Sequence, residues 1–180
     1  ADRELAEEAW AGDIIGIPNH GQLRIGDALT EGEALHFTGI PHFAPELFRR
    51  IRLKDPLKLK SLQKGLTQLS EEGSTQVFMP ARNNDLIVGA VGVLQFEVVA
   101  HRLEHEYGVK ARIMASNFNL ARWVTSEDPQ ELKKFIDANA HRVAYDAVDA
   151  PTLLVEYAPE LRAIEANWPK IRFHALREHA

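Results

Sequence analysis

Three stretches of this 180-residue chain hold residue types that can do chemistry. The first, His101-Arg-Leu-Glu-His105, matches the inverted zinc-protease pattern His-x-x-Glu-His. On a helix the two imidazoles stand one turn apart and can reach one metal ion, with Glu104 as general base. No third ligand follows at a suitable place, and Leu103, not a histidine, holds the core-facing phase. Two solvated imidazoles beside acidic neighbours are therefore the reading taken, with no metal. The second stretch is the turn from Gly89 to Gly92, after an apolar strand and before a helix. A dinucleotide fingerprint sits in such a place, but it needs three glycines and an acidic residue about twenty positions on. Gly-x-x-x-x-Gly-Lys-Ser/Thr is also missing from the chain. The two glycines read as packing residues that let the strand turn sharply and the helix come close.

The third stretch is basic. Arg49, Arg50, Arg52, Lys54, Lys58, Lys60 and Lys64 face Asp55 alone, a local charge of +6 in a chain of net charge -5, so the remainder carries -11. Strand alternation puts Arg50, Arg52 and Lys54 on one side, and Lys60 and Lys64 lie one helical turn apart. Such an array neutralises several phosphates without reading bases, which is salt-sensitive, shape-based contact with RNA. Aromatic platforms for stacking single-stranded bases are missing from it. A solvated strand-and-helix face is the competing reading of the same charges.

Nothing else in the chain assembles into a catalytic constellation. There are no cysteines, which removes disulfides, thiolate nucleophiles and thiolate metal sites. His20, His36, His42, His141, His174 and His179 are scattered, no Gly-x-Ser-x-Gly elbow exists, and Asp13, Asp27, Asp85 and Asp146 stand singly. No apolar run is long enough for a bilayer, and Ala1 to Glu8 is too charged for a signal peptide. A cytoplasmic protein with neither a membrane nor a DNA partner is expected.

The elements that must position these residues are α+β. Residues 1–39 read as all-β: Gly12 to Pro18 is an apolar strand, Asn19 to Gly21 a turn, and Gln22 to Ile25 a return strand. So few strands cannot close a core, and they read as the closing part of a barrel that continues upstream. Residues 40–45 form a linker within a connector, Thr38 to Pro45, whose prolines and glycine forbid regular structure. Residues 46–114 give the order βαββαβ, a ferredoxin-like unit. Its first helix starts at Asp55-Pro56, its second carries Leu94, Phe96, Val99, Leu103 and Tyr107 inward and stops at Gly108. Residues 115–180 repeat that element order without repeating its sequence, as a second unit or as an extension of one larger sheet. Asp128-Pro129 starts its first helix, with Glu131 placed for a capping box.

At the level of motifs, Phe43 to Met114 resembles the third domain of elongation factor G, through the helix ending Gln68-Leu-Ser-Glu-Glu72 and the run from Gly89 to Val99. Over its whole length the chain is more similar to the C-terminal portion of the bacterial peptide chain release factor 3 family. That resemblance rests on Gly12 to Gly21, Phe37 to Arg50, Asn84 to Phe96, Ala121-Arg-Trp-Val124 and Ile171 to His179. It implies a translation-termination GTPase that helps class I release factors leave the ribosome. It further implies a GTP-binding domain, a β-barrel ending in residues 1–39, and this α/β part on small-subunit RNA and protein, with class I factors engaged indirectly. GTP or GDP with Mg would be cofactors of the full-length protein and none would bind this chain, which carries no GTPase motif. Asn83-Asn-Asp-Leu86 only superficially matches the guanine motif Asn-Lys-x-Asp. No enzymatic activity is expected of the chain alone. The connector would be the hinge on which the α/β part turns. An elongation or ribosome-protection factor would share the fold but not the sequence after Phe118, and an independent metal-dependent enzyme lacks its motifs.

Overall fold

The computed structural model describes residues 5, 7–18, 23, 26–35, 37, 41–73, 75–82 and 85–178. A short strand, β1 (Pro41–Phe43), precedes β2 (Leu47–Leu53). Asp55 then accepts the Leu57 N–H at 3.0 Å, and a 3-10 turn over Pro56–Lys58 winds into α1 (Leu59–Glu71). The carboxylate and the proline thus start the helix as expected, with its first turn tightened. Strands β3 (Thr75–Pro80) and β4 (Leu86–Ala90) lead to α2 (Leu94–Tyr107). Gly108 ends that helix at φ 64°, and the Val109 N–H reaches back to the Leu103 carbonyl at 2.9 Å. Strand β5 (Ala111–Ala115) completes the unit, whose antiparallel order β5-β2-β4-β3 is that of a split βαβ fold.

The same order recurs in β6 (Leu120–Thr125), α3 (Pro129–Ala138), β7 (Val143–Tyr145), β8 (Pro151–Val155), α4 (Ala158–Asn167) and β9 (Arg172–His174). Their strands run β7-β8-β6-β9. β3 pairs with β7, Met79 opposite Tyr145 and Pro80 opposite Ala144, and this joins both units into one eight-stranded sheet. Repeat and single sheet, alternatives in the sequence, therefore coexist. Some sequence does repeat: Leu47, Arg49, Asp55 and Pro56 recur at one constant offset as Leu120, Arg122, Asp128 and Pro129. The expected capping box does not form, because the Asp128 N–H bonds Ser126 Oγ and Glu131 pairs with Lys134 instead.

Directly opposed residues share a face of a sheet, so the registers fix which side each residue occupies. Ile51, Val77 and Val88 face α1 and α2 in one core, while Val124, Val143 and Leu153 face α3 and α4 in another, on the same side. A third core lies on the opposite, helix-free side, where Phe48, Phe78, Ile87, Ala121, Ala144 and Leu154 bury each other across the junction.

The connector covers part of that side. β1 pairs with a last strand, β10 (Leu176–Glu178), the Ala44 N–H bonds the Ala175 carbonyl at 2.9 Å, and Gln76 Nε2 donates to the Phe43 carbonyl at 2.6 Å. Pro41 to Phe43 therefore holds regular structure where none was expected; a proline is admissible as the first residue of a short edge strand. A hinge cannot operate within Pro41 to Pro45 while this ribbon is closed.

Gly89 has a different purpose from the one its sequence implied. A Cβ there would lie 2.3 Å from Pro45 Cγ, so the missing side chain admits the connector on the helix-free side, not a helix. Close approach of helices falls to Gly65, whose Cβ would meet Leu103 Cδ2 at 2.9 Å. Leu94, expected inward, is 72% exposed at the first turn of α2. None of the described residues before Pro41 lies in a strand; Gly12 to Pro18 has no ladder partner, and Ile14 is fully exposed. Asn19 to Gln22, Arg24 and Ile25 lie outside the described residues.

Candidate nucleic-acid interface

The seven cations of the basic stretch divide into three groups. Arg50 and Arg52 are exposed on the helix-free face of β2, with Lys54 exposed just past its end. Arg49 shares the opposite phase with Ile51, its guanidinium standing 5.1 Å from the Phe96 ring centroid and Nη1 donating to the Phe48 carbonyl at 2.8 Å. Arg49 thereby belongs to the helix side and is not part of the surface that Arg50 and Arg52 form. Lys58 sits on the 3-10 turn, and Lys60 and Lys64 are exposed along α1, whose Leu62, Leu66 and Leu69 face the core.

The helix-free face of β2 is not wholly basic, since Phe48 in the same phase is 1% exposed within the third core. Its basic part begins at Arg50 and is extended by a residue outside the charge run. Arg112 on β5 lies directly opposite Arg52, and Met114 opposite Arg50. Sequence could supply the phase of β5 but not its pairing with a strand some sixty residues earlier. Among the described residues, Arg50, Arg52 and Arg112 form no ion pair, although Asp85, just before the Leu86 that faces Ile51, lies on this side near Arg50.

A cavity of about 70 Å³ adjoins Arg50 at the junction of the units, lined also by Asp85, Phe118, His141 and Arg142. Arg142 is already paired with Glu160 at 2.6 Å.

The other candidates take structural places. His101 and His105 stack with ring centroids 4.0 Å apart, and His105 Nδ1 lies 2.8 Å from the His101 carbonyl, so the rings lie side by side instead of converging on one point. Glu104 pairs with Lys110 at 3.2 Å. At the turn before α2, the N–H groups of Val91 and Gly92 donate to Gln95 Oε1 at 3.0 and 3.2 Å. The amides that would cradle a phosphate are thus satisfied from within the chain, and these residues do not fit a nucleotide.

Asp146, single in sequence, organises a buried knot. Its Oδ1 accepts the Val148 and Ala150 N–H groups at 3.0 and 2.8 Å, and its Oδ2 accepts Trp123 Nε1–H at 3.0 Å. Arg177 of β10 brings its Nε within 3.3 Å of Oδ2 and its guanidinium 5.9 Å from the Trp123 ring centroid. This knot fastens the ribbon over the second unit, and only the register of β10, invisible in sequence, brings Arg177 to it.

Fold and surface together define an α+β protein of two fused split-βαβ units with a basic patch on the helix-free face of its first unit. The family model described as "Class II release factor RF3, C-terminal domain" matches residues 37–165. Curated relatives are the peptide chain release factor 3 proteins of Nitrosomonas europaea, 63% identical over 99% of this chain, Nitrosomonas eutropha, 62% over 99%, and Bordetella pertussis, 61% over 98%. The chain belongs to the peptide chain release factor 3 family. It spans 33% of the length of each of these relatives.

Proposed function

We propose that the chain is the ribosome-contacting C-terminal part of a cytoplasmic translation-termination factor that promotes dissociation of class I release factors. The observation that carries this is family membership across 99% of the chain at 63% identity. Domain boundaries follow the same reading: residues 1–39 end a barrel, 40–45 link, and 46–114 and 115–180 are the two α/β units. The contact with small-subunit RNA runs through Arg50, Arg52 and Lys54, supported by their exposure and by their forming no ion pair among the described residues. Lys58, Lys60 and Lys64 flank it on the helix side, and Arg49 holds Phe96 and the strand in place. GTP or GDP with Mg would be held by residues of the full-length family protein outside the α/β units. Class I factors respond indirectly, through the position this part takes on the ribosome.

Reversing Arg50, Arg52 and Lys54 to glutamate should weaken binding to the small subunit by at least tenfold and flatten its dependence on salt. Binding measured at several salt concentrations decides it: unchanged affinity and slope would remove this face from the contact.

A further inference from the structure

From the register of β2 against β5, we infer that Arg52 and Arg112 form a two-arginine clamp for a single phosphate group, an inference that rests on the RNA-contact reading above. Leu53 and Ile51 of β2, and Ala111 and Ile113 of β5, pack toward the helices, so Arg52 and Arg112 both project from the helix-free face. They are directly opposed residues of an antiparallel pair, both exposed and neither in an ion pair among the described residues; the acid nearest in register, Asp85, precedes the Leu86 that faces Ile51 and lines one cavity with Arg50, leaving the Arg112 side of the pair uncompensated. Directly opposed like charges destabilise a sheet. An anion seated between the guanidinium groups turns that repulsion into two charge-assisted contacts, and the planar fork of arginine suits a tetrahedral oxyanion bidentately. Arg50 lies two residues away on the same face, next to Met114, and adds a flanking cation. β5 is one of the two edge strands of the sheet, so a polyanion can run along this edge without meeting another strand.

A charged edge residue also guards a sheet against pairing with another chain. That role needs Arg112 alone and is indifferent to Arg52 behind it. It is equally indifferent to lysine in place of arginine, whereas a bidentate clamp is not.

The test uses the intact chain with the small ribosomal subunit, titrated at several salt concentrations, and with inorganic phosphate as a second probe. Arg52→Met and Arg112→Met should each weaken subunit binding roughly tenfold and lower the salt slope by about one, and the double variant should lose little more than either alone. Arg112→Lys should recover only part of the loss. Phosphate should raise the melting temperature of the parent chain, relative to chloride of equal ionic strength, by more than that of Arg112→Met, because the general stabilisation by an excluded anion acts on both alike. Losses that multiply, or full recovery by lysine, overturn the clamp. If Arg50→Met weakens binding and Arg112→Met does not, the clamp falls and the RNA reading stands. If phosphate stabilises the parent more than Arg112→Met but the subunit does not bind it, the clamp stands with free phosphate as its ligand and the RNA reading falls. Neither response overturns both.

Discussion

The two units share one strand order, yet they treat the side of the sheet away from the helices in opposite ways. In the first, the edge strand β5 and its neighbour β2 leave Arg50, Arg52 and Arg112 bare to solvent. In the second, the equivalent position on β6 is Trp123, buried beneath Arg177 of the β1–β10 ribbon and bonded to Asp146. The helix sides differ too. Gly65 lets α1 and α2 meet closely in the first unit, whereas Phe135 fills the second, edge-on to Trp168 and Phe173 at 5.2 and 5.6 Å. A repeated frame thus leaves one face basic and bare and uses the other to anchor the ribbon, with the shared third core packed between them.

The largest effect should come from undoing the anchor. Asp146→Ala removes the acceptor of two turn amides and of the Trp123 indole, and leaves the Arg177 charge unpaired beside them. Such a loss costs about 3–5 kcal/mol. Urea unfolding should show it, and hydrogen exchange should rise first at β10 and β1 while β2 and β5 remain protected. Uniform loss of protection along the whole sheet would show that the two sides are not separable.

Two glycines of one motif should then respond with opposite signs. Gly89→Ala drives a methyl into Pro45 and Phe78 and should cost about 1–3 kcal/mol, loosening the connector before the sheet. Gly92→Ala meets nothing within 4 Å and needs no positive φ, so it should be neutral or stabilise by up to about 1 kcal/mol. Melting temperatures of the pair check this, and equal losses would mean that the turn, not the connector, sets the need for glycine.

That contrast also shows where sequence stops being informative. Local signals were legible: Asp55-Pro56 and Asp128-Pro129 start helices, Gly108 ends one, and apolar spacing marks Leu62, Leu66 and Leu69 as core. Each depends on groups a few residues apart. Phase was legible for β2 but coverage was not, since alternation puts Phe48 with Arg50 without saying that residues of β6 and β8 bury the one and leave the other bare. The β1–β10 ribbon, the Asp146 knot and Arg112 all come from partners far apart in the chain, in strands too short or too polar to announce themselves.

The smallest effect concerns the helix side of the first unit, where Arg102 joins the end of α1 to α2. Its guanidinium bonds both oxygens of Glu72 and both of Glu106, the latter at 2.6 and 2.8 Å. These bonds raise the pKa of Arg102, so it stays charged at every accessible pH, and the hydrogen bond from Arg102 holds Glu106 below the usual carboxylate range. A carboxylate whose folded pKa is depressed contributes stability that is present above its unfolded pKa, near 4.3, and is lost as pH falls through the lower folded value. Both glutamates are 45% exposed, so solvent screening limits the contribution to less than about 1 kcal/mol. Arg102→Met should therefore lower the unfolding free energy slightly at neutral pH, and the difference from the parent should shrink below pH 4. A difference that persists unchanged at acid pH would assign the effect of Arg102 to the packing of its side chain, not to its charge.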